Sequence, residues 1–273
     1  MKLQDKFRAL EKQKKGLLAT NFYNYETLTG ILKAASTLNQ PIILQLTRSS
    51  IEYMGLNIAV SMARTALRDY NVEGWIHLDH GDSIELVNRC LDAGFDSVMI
   101  DASEQPFDEN ISITREVVKL AEKYNANVEA ELGYVAKLGQ SHQYSGFTQP
   151  DEAKKFVEET NINALAIAIG TVHGFYKTEP ALQMDLLSEI HKVTDATLVL
   201  HGGSGIPHPV LTEAIRRGIC KINLATEIKN IFMMTLKEKL INTDEIDLRK
   251  VFPSAISAVT DLVKEKLKVV NMS

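Results

Sequence analysis

Cysteine is scarce in this chain: Cys90 and Cys220 are the only two among 273 residues, and they are far apart in sequence. That excludes a disulfide scaffold and a close-spaced metal knuckle, and both thiols read as core residues of a protein from a reducing, cytoplasmic compartment. A basic excess is lacking too. Thirty Lys and Arg stand against 35 Asp and Glu, a formal charge of −5, with the two signs interspersed. No positive stripe is available for a phosphate backbone or an anionic bilayer, so neither nucleic acid nor membrane is expected as a partner. The most apolar run, Ala164 to Ile169, falls far short of the ~20 residues of a membrane helix. The opening stretch to Gly16 is charged from Lys2 to Lys15 and lacks the apolar centre of a secretion signal. No Pro, Gly or Ser tract and no charge block interrupts the chain, so a single domain over residues 1–273 is expected.

What is present is an alternation. Short apolar runs occur at Leu17 to Phe22, Pro41 to Leu46, Gly74 to Leu78, Ser97 to Ile100, Asn127 to Leu132, Ala164 to Ile169, Thr197 to Leu200 and Ile219 to Leu224. Continuous apolarity over so few residues suits strands covered on both faces, as in a parallel sheet flanked by helices. Between the runs lie segments of helical period, such as Ile84, Val87 and Leu91, or Ile228, Ile231, Phe232 and Leu236. An open doubly wound sheet would give a similar alternation. Eight β/α units in this length close most naturally into an α/β fold of the TIM (β/α)8 barrel type. Leu248 to Val270 reads as an extra C-terminal helix, with Pro253 near its start, where a missing amide hydrogen costs little.

Barrel enzymes carry their chemistry at the carboxyl ends of the strands. In strand order those positions hold Asn21, Gln45, Asp79 with His80, Asp101, Glu131, His173, His201 and Asn223. Three imidazoles from three strands, converging on one point, make an open zinc site with a position left for water or substrate. A single buried histidine is more often satisfied by a backbone carbonyl; the joint placement of His80, His173 and His201 favours the metal. His77 within a strand, His191 on a helix and His208 in a turn keep the ordinary reading. Gly202-Gly203-Ser204-Gly205 after strand seven, and Asn223-Leu224-Ala225-Thr226 leading into a helix, have the composition of an anion cradle. Glycine lets backbone amides approach a phosphate, and the hydroxyls and helix start add donors and a dipole.

These residues lie in motifs that together resemble the class II, zinc-dependent ketose-bisphosphate aldolases, nearest to the tagatose-bisphosphate branch. The resemblance rests on His77-Leu78-Asp79-His80-Gly81, Met99-Ile100-Asp101-Ala102-Ser103, Val128-Glu129-Ala130-Glu131-Leu132-Gly133 and Ala168-Ile169-Gly170-Thr171-Val172-His173-Gly174. It continues through Leu200-His201-Gly202-Gly203-Ser204-Gly205 and Lys221-Ile222-Asn223-Leu224-Ala225-Thr226. It implies that His80, His173 and His201 hold the catalytic Zn2+ and that Asp79 handles the proton of the carbon-4 hydroxyl. Asn223 would touch the enediolate, which a divalent cation stabilises as a Lewis acid. Gly174, Gly202, Gly203, Ser204, Ala225 and Thr226, with Asn21 nearby, would hold a sugar phosphate through its dihydroxyacetone phosphate half. Asp101 and Glu131 would serve a second divalent or a monovalent cation, or orient the histidines by hydrogen bonds. The family also implies a homodimer or homotetramer.

One segment departs from the pattern. The family carries a loop glutamate after strand five, yet Gly133 to Pro150 contains no Asp or Glu. His142, which titrates near neutrality, or Tyr144 is the replacement for proton exchange, unless the segment is only a solvated lid. Arg48, Ser49 and Ser50 past strand two, or Lys137, could meet an anion at carbon six of the sugar, a phosphate or a sulfonate. The expected activity is reversible cleavage of a ketose 1-phosphate into dihydroxyacetone phosphate and a three-carbon aldehyde; a silent sugar-phosphate-binding barrel is the alternative of another class.

Overall fold

The computed structural model describes residues 1–133, 146–176 and 180–272. Eight parallel strands, β1 (Leu17–Asn21), β2 (Ile42–Leu46), β3 (Gly74–Gly81), β4 (Ser97–Ile100), β5 (Asn127–Leu132), β6 (Ala164–Ile167), β7 (Thr197–Leu200) and β8 (Ile219–Leu224), follow one another around a closed barrel. Pairing of Leu18 with Ile222 on β8 closes the ring, so the expected TIM barrel is the observed fold. The eight strands occupy the eight apolar runs. Only β3 extends well beyond its run, because its last residues, Asp79, His80 and Gly81, are not apolar.

Alternation along each strand separates two cores. Leu44, Leu46, Ile76, Leu78, Val98, Ile100, Leu165, Ile167, Leu198 and Leu200 face outward into one large apolar cluster under the helices. The inward positions carry a different content from floor to mouth. At the floor, Leu17, Ala19, Ile43 and Trp75 pack against Leu3, Phe7 and Leu10 of α1 (Leu3–Lys12). This helix plugs the amino end of the barrel, a role not expected of a stretch read from its charges alone. Halfway up, Met99, Ala164, Ala166 and Val199 form a small apolar cluster of their own.

The helices α2 (Tyr25–Leu38), α3 (Arg48–Met54), α4 (Leu56–Asp69), α5 (Ile84–Asp92), α6 (Phe107–Glu122), α7 (Pro150–Thr160), α8 (Met184–Val193), α9 (His208–Arg216) and α10 (Thr226–Ile241) fill the crossovers. Several start on side-chain caps: Asn24 accepts from the Thr27 amide at 2.9 Å, and Ser83 from the Leu86 amide at 3.3 Å. The C-terminal helix α11 (Leu248–Asn271) lies across α2. The approach is close at Gly30, where a β-carbon would stand 2.7 Å from the Val259 side chain; the Thr260 hydroxyl donates to the Gly30 carbonyl at 3.1 Å.

One expectation about α11 is corrected. Pro253 lies inside the helix, beyond its first turn, where a missing amide hydrogen removes a hydrogen bond from the ladder. His208, expected in a turn, is the first residue of α9. Both cysteines are free and buried, with burial pushing the Cys90 thiol up to about 12. No helix among the described residues is long and apolar enough to cross a membrane.

Candidate functional site

Strict alternation would send Asp79 into the barrel and His80 away from it. The chain avoids this at one residue. His80 has φ +50, in the left-handed region that side chains rarely adopt, and the pairing register between β3 and β4 breaks between Leu78 and Gly81. Both side chains therefore turn to the mouth. Strain of this kind persists only where the surroundings enforce it, and here it sits between two candidate functional residues.

His80 Nε2 lies 3.3 Å from His173 Nε2 and 3.0 Å from His201 Nδ1. The three rings stand nearly perpendicular to one another, at 75°, 83° and 84°. Three nitrogens so close and so differently oriented converge on one point, and these side chains could together hold a metal ion. The atoms facing away are held as well. His80 Nδ1 is 2.7 Å from Asp101, whose other oxygen accepts from the Ser103 hydroxyl at 2.7 Å; His201 Nε2 is 2.9 Å from Glu129. This donor set, two imidazoles oriented by carboxylates and a third beside them, fits a divalent cation of the zinc kind.

The sequence admits two roles for Asp101 and Glu131. Asp101 orients His80 directly. His80, Asp101 and Glu131 also form a second group able to hold a cation, with Glu131 Oε2 3.9 Å from His201 Nδ1.

Charges in this cluster compensate one another. Burial alone would lower the His80 pKa, but the hydrogen bond to Asp101 and the charges of Asp79 and Glu131 raise it to about 9. Burial holds His201 well below the usual imidazole value, reinforced by the neighbouring His80 and Lys221 charges. Asp79 is buried, which opposes its ionisation, yet His80, His201, Lys221 and the bond from Asn21 outweigh burial and hold it below the usual carboxylate range. It is thus an ionised base in a dry site. Asn21 Nδ2 donates to it at 2.9 Å and Gln45 Nε2 at 3.2 Å, while Asn223 Nδ2 stands 3.5 Å from the same carboxylate. Tyr23, two residues beyond Asn21, is kept protonated by burial and then by Asp79.

The glycine loop after β7 and the start of α10 are one structure. The Gly203 amide donates to the Asn223 carbonyl at 3.0 Å, and the Ser204 hydroxyl accepts from the Glu227 amide at 3.3 Å. Gly202 has φ +69, and a β-carbon there would lie 2.4 Å from the Val172 carbonyl oxygen, so only glycine fits. Tyr176 ties this loop to the one bearing His173: its hydroxyl accepts from the Val172 amide at 3.1 Å and donates to the Gly202 carbonyl at 2.9 Å. Gly174, with φ +108, belongs to that second loop. Ala225 and Thr226 form the amino end of α10, where the helix dipole favours an anion.

The remaining expected residues stand apart from the ring. Arg48 opens α3 on the outer rim, its guanidinium paired in a fork with Asp82 and 3.1 Å from the Ser83 hydroxyl. Ser49 is 3.0 Å from the Thr47 hydroxyl. His142, Tyr144 and Lys137 lie outside the described residues.

Residue type alone does not single out four further residues of the interior. Inside the barrel, below the ring, Lys221 Nζ bonds Glu129 Oε2 at 2.6 Å and lies 3.3 Å from His77 Nε2; His77 Nδ1 is 2.8 Å from the Ser97 hydroxyl. The sequence did carry a signal for these: Glu129 and Lys221 alternate with apolar neighbours, which places them on the same strand face as Glu131 and Asn223.

The sequence profile of class II fructose-bisphosphate aldolases matches residues 1–273. The fructose-bisphosphate aldolase of Helicobacter pylori is 36% identical, over 94% of this chain and 93% of its own length. The D-tagatose-1,6-bisphosphate aldolase subunit GatY of Klebsiella oxytoca is 37% identical, over 92% and 90%. Among solved structures, the YdjI aldolase of Escherichia coli K12 superposes with a TM-score of 0.89 at 30% identity, covering 98% of this chain and 96% of that one. A match over the full length, together with relatives of this identity, shows that the chain belongs to the class II fructose-bisphosphate aldolase family and is an aldolase, a carbon–carbon lyase.

Proposed function

We propose that this enzyme is a zinc-dependent aldolase that reversibly cleaves a ketose 1-phosphate with an anionic carbon-six group, of the tagatose or fructose 1,6-bisphosphate type. The products are dihydroxyacetone phosphate and a three-carbon aldehyde. The observation that carries the reading is the convergence of His80 Nε2, His173 and His201 Nδ1 beside the buried carboxylate of Asp79. His80, His173 and His201 would hold a zinc ion, which when bound would supply Lewis acidity toward the substrate carbonyl.

The chain's own groups do the rest. Asp79, held ionised and aimed by Asn21 and Gln45, accepts the carbon-4 hydroxyl proton as the bond between carbons three and four breaks. Asn223 offers an amide on the same side of the ring, next to Asp79. Gly174, Gly202 to Ser204 and the start of α10 from Ala225 and Thr226 receive the carbon-1 phosphate; Arg48 and Ser49 on the rim face the carbon-six anion. His142 or Tyr144 takes the proton exchange that the family assigns to a loop glutamate. Asp101 and Glu131 attend a second cation or hold the first group's histidines. A cytoplasmic homodimer or homotetramer completes the reading, in keeping with exposed Tyr53 and Ile58 on the flank of α3 and α4.

The deciding experiment is a panel of ketose 1-phosphates differing at carbons four and six, assayed for triose phosphate release with and without a chelator. Chelator-sensitive cleavage of a bisphosphate is expected. Turnover of a 6-sulfonated ketose 1-phosphate alone moves the specificity to a sulfonate, a shift that the acid-free segment after β5 favours. Tight binding of every sugar without cleavage, zinc being present, overturns the aldolase reading in favour of a binding barrel.

A further inference from the structure

Lys221 on β8 and Glu129 on β5 come from strands three apart around the barrel and meet inside it, each no more than 2% exposed. A buried ion pair is seldom more stable than apolar side chains of the same volume. What this pair contributes is visible in the second carboxylate oxygen. Glu129 Oε2 takes the ammonium, and Oε1 faces His201 Nε2 at 2.9 Å. An ionised carboxylate only accepts, so the hydrogen of that contact belongs to Nε2. Asn223 Nδ2 also lies 3.1 Å from Nε2, but a bare Nε2 would set its lone pair against the Glu129 oxygen at closer range. A neutral imidazole with hydrogen on Nε2 has its lone pair on Nδ1, the atom turned to His80 and the shared centre. At the other end, the ammonium only donates, so His77 Nε2 accepts and His77 Nδ1–H donates to Ser97.

We propose that Glu129 and Lys221 are a positioning pair that fixes the tautomer of His201 and thereby sets metal affinity at the three-histidine site. The proposal rests on the metal-dependent reading above and names what tunes that same site. Its sharpest consequence concerns Glu129→Gln. Lys221 still demands an acceptor and captures the amide oxygen, which leaves only the amide NH2 facing His201. Nε2 must then accept, and the hydrogen moves to Nδ1, the nitrogen the cation needs. Removing the ammonium as well, in Glu129→Gln with Lys221→Met, frees the amide to turn its oxygen to Nε2 and restores the original tautomer.

The test uses the full chain labelled with 15N-histidine, whose imidazole shifts report the tautomer in metal-free protein, and a zinc titration against a chromophoric chelator. Wild type is expected to show His201 protonated on Nε2. Glu129→Gln shows Nδ1 protonated, with zinc affinity lower by about 10–100-fold, and the double variant recovers most of that loss. A purely structural pair predicts instead that the double variant is the worse of the two. Wild-type His201 protonated on Nδ1 overturns the proposal even if neither variant folds, as does equal zinc affinity in wild type and folded Glu129→Gln. A wild type that binds zinc and releases triose phosphate alongside such a result leaves the aldolase reading standing; a wild type that binds no zinc removes that reading instead.

Discussion

On β1, β2 and β3, Leu17, Ile43 and Trp75 close over the apolar face of α1 at the amino end, while Asn21, Gln45 and Asp79 occupy the same inward faces at the mouth. Two to four residues separate each pair, a rise of about 7–13 Å along the strand. Over that distance the interior changes from close-packed hydrocarbon to a ring of amides, imidazoles and carboxylates. The difference teaches how one barrel keeps stability and chemistry from competing. At the mouth the amide hydrogens of Asn21 and Gln45 are turned onto Asp79, while their buried amide oxygens carry no hydrogen bond among the described residues, so polar capacity is retained there for reactivity. The free energy of folding comes from the floor and from the outer cluster under the helices.

The largest effect that would sharpen this contrast is at the mouth. Replacing Asp79 by Asn keeps the shape and removes the base, so kcat for cleavage should fall by about 10²–10⁴-fold, with zinc content unchanged by elemental analysis. The same variant should lose less thermal stability than a floor variant does. If Asp79→Asn unfolds the protein while activity per folded molecule persists, the separation of the two ends is wrong.

The floor supplies the converse. Phe7 is 1% exposed in the α1 plug, and Phe7→Ala should cost about 3–5 kcal/mol of folding stability in denaturant titration. Turnover per folded molecule should remain at the wild-type rate, since no residue of α1 reaches the ring. A fall in kcat with stability intact would show that the floor controls the geometry of the mouth.

How the two ends were legible differs in the same way. The strands could be read because their outward faces are apolar apart from Thr20 on β1, and even the inward faces include Leu, Ile and Trp near the floor. The polar ring could be read because a barrel places strand ends at its active site, whatever the side chains. Four things stayed hidden. The plug was masked by eight charges between Lys2 and Lys15, although Leu3, Phe7 and Leu10 have the spacing of one helical face. The positive φ of His80 cannot be deduced from residue type, and without it Asp79 and His80 belong to opposite faces. The ion pair of Glu129 and Lys221 was overlooked because charged residues in an apolar run look like interruptions, while their period of two marks them as one inner face. Tyr176 gave no local signal: its two partners, Val172 and Gly202, are on different loops.

Tyr176 provides the smallest and most discriminating test, because it belongs to neither end. It lies above the mouth and joins the loop carrying His173 to the loop carrying Gly202 with a single hydroxyl. Tyr176→Phe keeps the ring in place and leaves the Val172 amide and the Gly202 carbonyl without that bridge. The expected cost in folding is about 1–3 kcal/mol, the usual net worth of two lost hydrogen bonds. If the loops serve substrate binding, KM for the ketose phosphate should rise severalfold while kcat stays near wild type, since the loosened Gly202 backbone holds phosphate equally in the ground and transition states. A fall in kcat with KM unchanged would instead mean that the bridge acts through His173, and the loops would have to be counted with the reacting ring rather than with the binding surface around it.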